Sequence, residues 1–350
     1  MATRTISIAG GNWNATTAWV EAQVPTAADD VVATALSGNL VVTASSVARS
    51  VTLTNYVGTL SGSGSLSVGD GSGGDFILAA GMTQSWSGVL TLASTTTGNN
   101  INPQGKSLAS VVFNGVGGAW TLQGNFSAGS GSSLTLTNGS FNANNYNITT
   151  GTFASNNSNT RTLTMGNGTW TLGYWLGSIW NIATTTGLTF NANSSTIKFS
   201  SITTTFTHVF DGGGLTYNNF EISSATGVIT YQFNGSNTFN DFKCSKTVAS
   251  TIKFTAGTTT TTTTFTVAGT SGNVITIGSV TAATHTLTKA GGGTISSDYL
   301  SISYSTATPG TTWYAGTHST DGGNNSGWTF TAPPGGSGGF LNRNYFWENY

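Results

Sequence analysis

The sequence is poor in charge. Ten Lys and Arg and eleven Asp and Glu make up 6% of 350 residues, and the formal net charge is -1. A neutral chain without a basic stripe excludes nucleic-acid binding by phosphate neutralisation and argues against attachment to a membrane surface through a polybasic segment. Disorder maintained by charge repulsion also requires a high net charge, so we expect a folded chain.

Cysteine and the strong helix formers are also scarce. The one cysteine, Cys244, excludes an intrachain disulfide of the kind that stabilises small secreted domains. Residues 1–20 contain no apolar core of a secretory signal, and no stretch approaches the length needed to span a membrane. We therefore expect a protein that is assembled in a host cytoplasm without membrane insertion.

Strand signals are dense along the chain. Short segments such as Ser50–Thr54, Leu134–Thr137 and Thr264–Val267 alternate apolar and polar residues, and Gly, Asn or Ser bound them. This alternation is typical of half-buried strands between tight turns. The pattern predicts an all-β chain.

The chain also repeats itself. Gly118–Leu122 (GAWTL) returns as Gly168–Leu172 (GTWTL), and the STIKF of Ser195–Phe199 returns at Ser250–Phe254. Such recurrence favours a parallel β-solenoid, also called a β-helix. Coils of about 20–25 residues stacked about 4.8 Å apart would give roughly a dozen coils and a rod on the order of 60 Å long. A β-sandwich array or a propeller is the alternative.

Four segments are predicted from composition. They are an N-terminal cap or attachment segment (1–45), a solenoid body (46–304), a Gly- and Trp-rich closing segment (305–332), and a flexible linker with an aromatic peptide (333–350). An apolar peptide on a Gly-rich tether is unfavourable in water, so we expect it to dock on its own fold or on another subunit. The predicted docking residues are Phe340, Leu341, Tyr345, Phe346, Trp347 and Tyr350.

No cofactor or metal site is predicted. The three histidines, His208, His285 and His318, lie in Thr- and Ser-rich contexts and are expected at the surface or in a cap. One cysteine and three scattered histidines lack zinc-ligand spacing, and the Gly runs lack the Lys-Ser/Thr of a phosphate loop.

Short acidic stretches are predicted to form turns rather than ligand sites. Asp70–Asp75 lacks the further acids of a calcium loop, and Asp321–Asn325 has the composition of a tight turn. Asp29 and Asp30 follow Pro25 and precede Val31, which indicates a turn or strand entry.

A pair of carboxylates about 5–10 Å apart would be needed for glycan hydrolysis. The candidates are Asp211, Glu221 and Asp241, and coils of 20–25 residues would place Glu221 and Asp241 on adjacent coils about 5 Å apart. Any two acids 20 residues apart satisfy the same condition. We therefore predict no catalytic residues and a non-enzymatic protein.

An aromatic cluster is the other candidate binding site. It consists of Trp170, Tyr174, Trp175 and Trp180. Aromatic rings beside Asn and Ser can stack on the apolar faces of sugars, and equally they can fill a core or a subunit contact. Both interpretations remain open at this stage.

Three segments carry a family resemblance. They are Gly11–Trp19 with Val24–Val31, Asn237–Phe242 with Thr251–Thr258, and Thr312–Trp328. Together they resemble β-rich virion structural proteins of tailed bacteriophages, of the tail-fibre, tailspike or decoration type, and similar openings occur in bacterial surface adhesins. The resemblance covers most of residues 10–330 and implies a β-rich virion or surface protein without carrying any catalytic residue.

The expected function follows from these features. The chain would be a virion structural protein on the particle exterior, as a tail fibre, spike or head decoration, and would aid adhesion to host glycans. Its partners would be other virion proteins of the capsid or tail and further copies of itself, with a trimer as one candidate. The alternatives are a bacterial surface adhesin or extracellular filament subunit, and a polysaccharide-degrading tailspike.

Overall fold

In a computed structural model, described over residues 1–173, 177–200, 207–223 and 226–334, the chain is a parallel β-solenoid of about 13 turns. All pairings between its named strands are parallel. This confirms the predicted solenoid over the sandwich and the propeller. The described residues contain no α-helix, only a 3-10 turn over Thr16–Ala18.

Three ladders of strands run along the axis. The first ladder contains Thr3–Thr5, Asp30–Val32, Ser50–Thr52, Phe76–Ile77, Asn99–Asn102, the second halves of Val111–Leu122 and Ser133–Asn142, Arg161–Thr164 and Leu188–Asn191. The third ladder contains Ser46–Ala48, Leu66–Val68, Leu90–Leu92, the first halves of Val111–Leu122 and Ser133–Asn142, Thr152–Ala154, Gly177–Asn181, Thr207–Asp211, Thr230–Asn234, Ser250–Phe254, Ile275–Ser279, Leu300–Ile302 and Thr320–Asp321.

In the turns that contain all three ladders, the second ladder lies between the first and the third along the chain. It consists of two sheets that no named strand pairing joins. The first sheet contains Gly11–Asn12, Leu40–Val42, Thr59–Gly62 and Thr83–Gln84. The second sheet contains Ser107–Leu108, Phe126–Ala128, Ile148–Thr150, Thr169–Leu172, Thr196–Phe199, Thr216–Ile222, Thr238–Cys244, Thr259–Val267, His285–Lys289 and Ser305–Thr308. A short fourth ladder near the C-terminal end contains Ile295–Ser296, Trp313–Tyr314 and Trp328–Thr329.

The core is a continuous column along the axis. Alternate residues of each strand point inward, as in Leu90–Leu92, whose two leucines are buried while Thr91 is not. Equivalent positions of successive turns are only about 4.8 Å apart, so large inward rings stack on one another. The ring centroids of Phe220 and Phe242 are 5.5 Å apart, and those of Phe242 and Phe265 are 5.4 Å apart.

The ladders extend beyond the predicted body. Thr3–Thr5 pairs with Asp30–Val32 in the first ladder, and Ser305–Thr308 and Thr320–Asp321 continue the second and third ladders. Segments 1–45 and 305–332 are therefore turns of the solenoid, because their strands meet the same pairing and burial requirements as the rest.

The N-terminal segment also caps the first turn. Val20 N donates to Thr5 O, Ser7 N donates to Ala18 O, and Glu21 Oε2 accepts from Thr5 N. The two bonds to Thr5 cover its backbone groups at the outer edge of the first strand, which would otherwise be unpaired.

The cross-section changes after Leu188–Asn191, where the first ladder ends. The next turn passes from Asp211 through Gly212–Gly214 directly to Thr216, and the second-ladder strand becomes longer. Gly213 has a φ of 65°, and a Cβ there would lie 2.2 Å from Ile182 O. The shortened turn leaves Leu188–Asn191 as a ledge on the side of the solenoid.

Among the described residues, no helix is long and apolar enough to cross a membrane.

Candidate functional site

A groove of about 530 Å³ lies where the ledge meets the lengthened second-ladder strands. Its walls carry amide and hydroxyl groups over two aromatic side chains, and no lining residue is charged. The lining residues are Asn191, Ala192, Asn193, Thr216, Tyr217, Asn218, Thr238, Phe239, Asn240 and Thr263.

The floor of the groove is held rigidly by aromatic packing. Tyr217 and Phe239 stack with centroids 5.6 Å apart, and Phe190 of the ledge meets Tyr217 edge-on at 5.0 Å. Tyr217 OH donates to Gly212 O at 2.8 Å and accepts from Trp180 Nε1 at 3.1 Å. Burial raises the pKa of Tyr217, so this phenol stays neutral and acts as an anchor.

A change in strand alternation forms the side of the groove. Tyr217 and Phe220 both point inward, so two consecutive residues, Asn218 and Asn219, lie between them on the outside. The next strand repeats this arrangement at Asn240 and Asp241. Paired outward polar side chains therefore recur in successive turns, which are about 4.8 Å apart, and form a polar edge.

The acid pair expected from coil length lies beside this groove on the second ladder. Asp241 pairs with Asn219 and Lys243 pairs with Glu221, so the two acids are on adjacent strands as predicted. They are two residues out of register, however, which separates their Cα atoms by about 8 Å rather than the expected 5 Å.

Glu221 is engaged by basic neighbours. Lys198 Nζ lies 3.8 Å from Glu221 Oε2, Lys243 Nζ lies 3.9 Å from Oε1, and Ser245 Oγ donates to Oε1 at 2.5 Å. Asp241 Oδ1 accepts from Thr264 Oγ1 at 2.5 Å. These contacts give each carboxylate a structural partner in the outer face of the sheet.

Asp211 belongs to a different side of the molecule. It lies in the third ladder, where its carboxylate accepts from Ser178 Oγ and Asn234 Nδ2, each at 2.6 Å. The three candidate acids therefore do not converge on one centre.

The aromatic cluster predicted as a possible glycan contact is not a surface platform in its described members. Trp170 and Trp180 are 0% exposed and meet edge-on in the core at 5.8 Å. Their assignment to glycan contact is wrong, because both rings point into the core from strands of two different ladders. Tyr174 and Trp175 lie outside the described residues, as do the docking residues Phe340, Leu341, Tyr345, Phe346, Trp347 and Tyr350.

Two of the three histidines are also internal. His208 and His285 are fully buried, contrary to the expected surface or cap positions, while His318 is largely exposed and pairs with Asp298. Burial lowers the pKa of His208 to about 4, with a smaller contribution from Lys246, and burial lowers the pKa of His285 to about 4. His285 Nε2 lies 3.1 Å from Ser305 Oγ.

The predicted acidic turns are confirmed. Ser72 N donates to Asp70 Oδ1, Gly323 N donates to Asp321 Oδ1, and Thr26 N donates to Asp29 Oδ2. In the described part of the chain, no three His, Cys, Asp or Glu side chains are grouped so that they could hold a metal ion.

The groove itself was missed by sequence reasoning, because it depends on where one ladder stops. The only local signal is the Gly212–Gly214 run, which allows the chain to cross the turn in four residues. No family model, curated protein or solved structure matches this chain.

Proposed function

We propose that the protein is a structural and adhesive component of a bacteriophage virion, displayed on the particle exterior as a tail fibre, spike or head decoration. The observation that carries this proposal is a stiff solenoid with an uncharged groove on its side. Stacked parallel strands suit a projecting rod, and the sequence resemblance to tailed-phage virion proteins supports the same interpretation.

The groove is proposed as the contact with host glycans. Asn193, Asn218 and Asn240 offer amide donors and acceptors, and neighbouring threonines offer hydroxyls. These groups match the hydroxyls of an uncharged sugar, and the absence of charge in the lining favours neutral over acidic glycans. Weak single contacts would become effective through many copies on one particle.

Attachment is assigned to the aromatic peptide at 340–350. Its aromatic residues would dock on a capsid or tail protein or on a second copy of this chain, so a homo-oligomer such as a trimer is part of the proposal. A truncation after Pro334 should then abolish incorporation into particles or dissociate the oligomer. Unchanged incorporation and unchanged oligomer mass would contradict this assignment.

Particle location is the first test. Immunogold electron microscopy of a producing culture should place label on phage heads or tails. Label on cell envelopes or free filaments in the absence of phage would instead support a bacterial adhesin or filament subunit.

Glycan binding has its own test with a matched control. The double variant Asn193→Ala/Asn240→Ala should lose binding on an array of neutral host glycans, because it removes two groove amides. The variant Asn114→Ala/Asn138→Ala removes an exposed amide pair that bonds at 2.7 Å on another turn, and it should bind like the wild type. Equal binding by all three proteins would overturn the groove assignment.

The tailspike alternative makes a separate prediction. If it were correct, the wild-type chain would shorten a host polysaccharide and Glu221→Gln/Asp241→Asn would not. We expect no shortening by either protein, measured by size-exclusion chromatography of the polysaccharide.

A further inference from the structure

A regular array of Thr residues and one Ser covers the outer face of the second ladder near its C-terminal end. Four successive strands each present two outward Ser or Thr residues separated by one inward residue. In the first of them, one of the two residues lies just before the strand begins. This threonine array consists of Ser236 and Thr238, Thr259 and Thr261, Thr286 and Thr288, and Thr306 and Thr308.

The two rows of the array are in strict register. Thr238, Thr261, Thr288 and Thr308 are successive Cα partners and form one row. The other row consists of Thr259, Thr286 and Thr306. Ser236 extends this row, because its Oγ accepts a hydrogen bond from Thr259 N at 3.1 Å.

Packing beneath the array makes it rigid. Leu287 and Ala307, which alternate with the array residues, are buried in the core. At the surface, Thr288 Oγ1 and Thr308 Oγ1 are 2.8 Å apart, so neighbouring hydroxyls are already ordered. The position of each hydroxyl and methyl group is therefore set by the solenoid and not by a mobile loop.

No charged residue belongs to the threonine array. Residues 255–262, 281–288 and 303–308 contain no Asp, Glu, Lys or Arg. Lys289 lies at the margin, where its Nζ donates to Thr263 O at 2.8 Å. Water over the array therefore meets hydroxyl and methyl groups, and charged groups lie only at its margin.

The spacing of the array identifies a ligand. Rows of adjacent strands repeat about every 4.8 Å along the axis, and positions two residues apart in a strand are about 6.6 Å apart. These two distances are close to the repeats of hexagonal ice along its a and c axes. We propose that the threonine array binds ice, with hydroxyls bonded to lattice waters and methyl groups seated between them.

This proposal does not depend on glycan binding or on a virion location. The groove lies on the ledge side, and only Thr238 is shared between the two surfaces. Loss of either activity would therefore leave the other open to measurement.

The experiment uses the purified full-length chain in a nanolitre osmometer. The wild type should shape ice crystals and hold the freezing point below the melting point. Thr286→Tyr should lose this effect, because a large ring in the centre of the array blocks contact with a flat crystal face. Thr162→Tyr is the matched control, since Thr162 also points outward between two strands of the first ladder.

Folding of each variant is checked by its melting temperature. If Thr286→Tyr does not fold, Thr261→Lys replaces it, because a lysine there adds charge to the array without entering the core. An inert wild type, or equal loss in the array variant and in Thr162→Tyr when both are folded, would overturn the proposal. Binding to crystalline cellulose without any effect on ice would overturn it as well.

Discussion

Arg161 shows how a single residue can join two turns of a chain that has little charge. It is 1% exposed, and its guanidinium donates five hydrogen bonds, all to neutral oxygens. Two reach Ser155 Oγ and O, one reaches Asn159 O, and two reach Thr184 O and Thr186 O of the next turn. Burial lowers the pKa of Arg161, so these bonds have to offset the loss of hydration.

Replacing this side chain should be costly. Arg161→Leu removes the donor of five bonds and leaves the two buried acceptors of Ser155 unpaired, and we expect a loss of about 3 kcal/mol or more in the free energy of unfolding. Lys106→Gln is the control, because Lys106 Nζ bonds Ala80 O at an exposed site, and its effect should stay within about 0.5 kcal/mol. Urea unfolding followed by circular dichroism gives both values, and equal midpoints would contradict the role of Arg161.

The buried histidines predict acid sensitivity. Their folded pKa of about 4 lies below the ordinary 6.5, so the unfolded chain binds more protons between these values. Stability is therefore complete above pH 6.5 and falls as the pH drops toward 4, by about 3 kcal/mol for each histidine.

Protonation of the carboxylates affects stability only at lower pH. Burial raises the pKa of Asp29, but hydrogen bonds from Thr26 and Arg4 outweigh it and hold the pKa below 3.8. Melting temperatures between pH 7 and 4.5 should thus report on His208 and His285 rather than on such acids. His285→Gln should flatten the slope over this range, and a slope identical to that of the wild type would refute the assignment.

The corners between strands tolerate few larger side chains in this fold, because each corner lies directly on the corner of the preceding turn of the solenoid. Gly166 has a φ of 68°, and a Cβ there would lie 1.2 Å from Asn144 O. Gly98 has a φ of 84°, but a Cβ there would meet no atom within 4 Å. The two glycines share the same backbone strain and differ in the contact between turns.

A comparison of Gly166→Ala with Gly98→Ala separates these effects. Both should lose about 1 kcal/mol from the left-handed conformation. Gly166→Ala should lose a further 1–3 kcal/mol or so, because the new methyl group forces the two turns apart. Thermal unfolding of the two variants measures the difference, and similar losses would mean that stacked turns have room to adjust.

The elements also show how far the sequence could predict the fold. Alternation predicted Leu134–Thr137 and Thr264–Val267 as strands, and both belong to ladders. The two STIKF segments, which suggested a repeat, are not equivalent positions of successive turns. Ser195–Phe199 belongs to the second ladder and Ser250–Phe254 to the third. All sides of the solenoid require the same inward-outward pattern, so similar strands recur on different sides.

The groove was less predictable than the fold, because it depends on where a ladder ends and not on the inward-outward pattern. Apolar periodicity indicates which residues point inward but not where a ladder ends, so the groove beyond Leu188–Asn191 could not be anticipated. Trp170 and Trp180 have the composition of a sugar-binding platform, yet both are buried. The alternation of Thr169–Leu172 buries Trp170, so periodicity was a better guide to this ring than composition. Trp180 is buried directly after Ile179, at a register shift that alternation does not predict.

At the scale of the whole molecule, the solenoid has two different ends. Thirteen or so turns at about 4.8 Å each give a rod about 60 Å long. The N-terminal end is covered by Val20 and Glu21, which bond the backbone O and N of Thr5 at the outer edge of the first strand. Strand edges left open in a parallel stack are templates for another chain, so this closure should keep rods from joining through their N-terminal ends.

Removal of the closure should change the assembly. A variant that begins at Gln23 loses Thr3–Thr5 and Gly11–Asn12, and so exposes the outer edges of Asp30–Val32 and Leu40–Val42. We expect small-angle X-ray scattering to give a maximum dimension that grows with protein concentration, because exposed edges pair end to end. Glu21→Gln is the control, since it keeps the backbone closure and should keep the dimension of the wild type. A truncated chain that stays folded at the length of a single rod would show that the first turn is not what prevents axial growth.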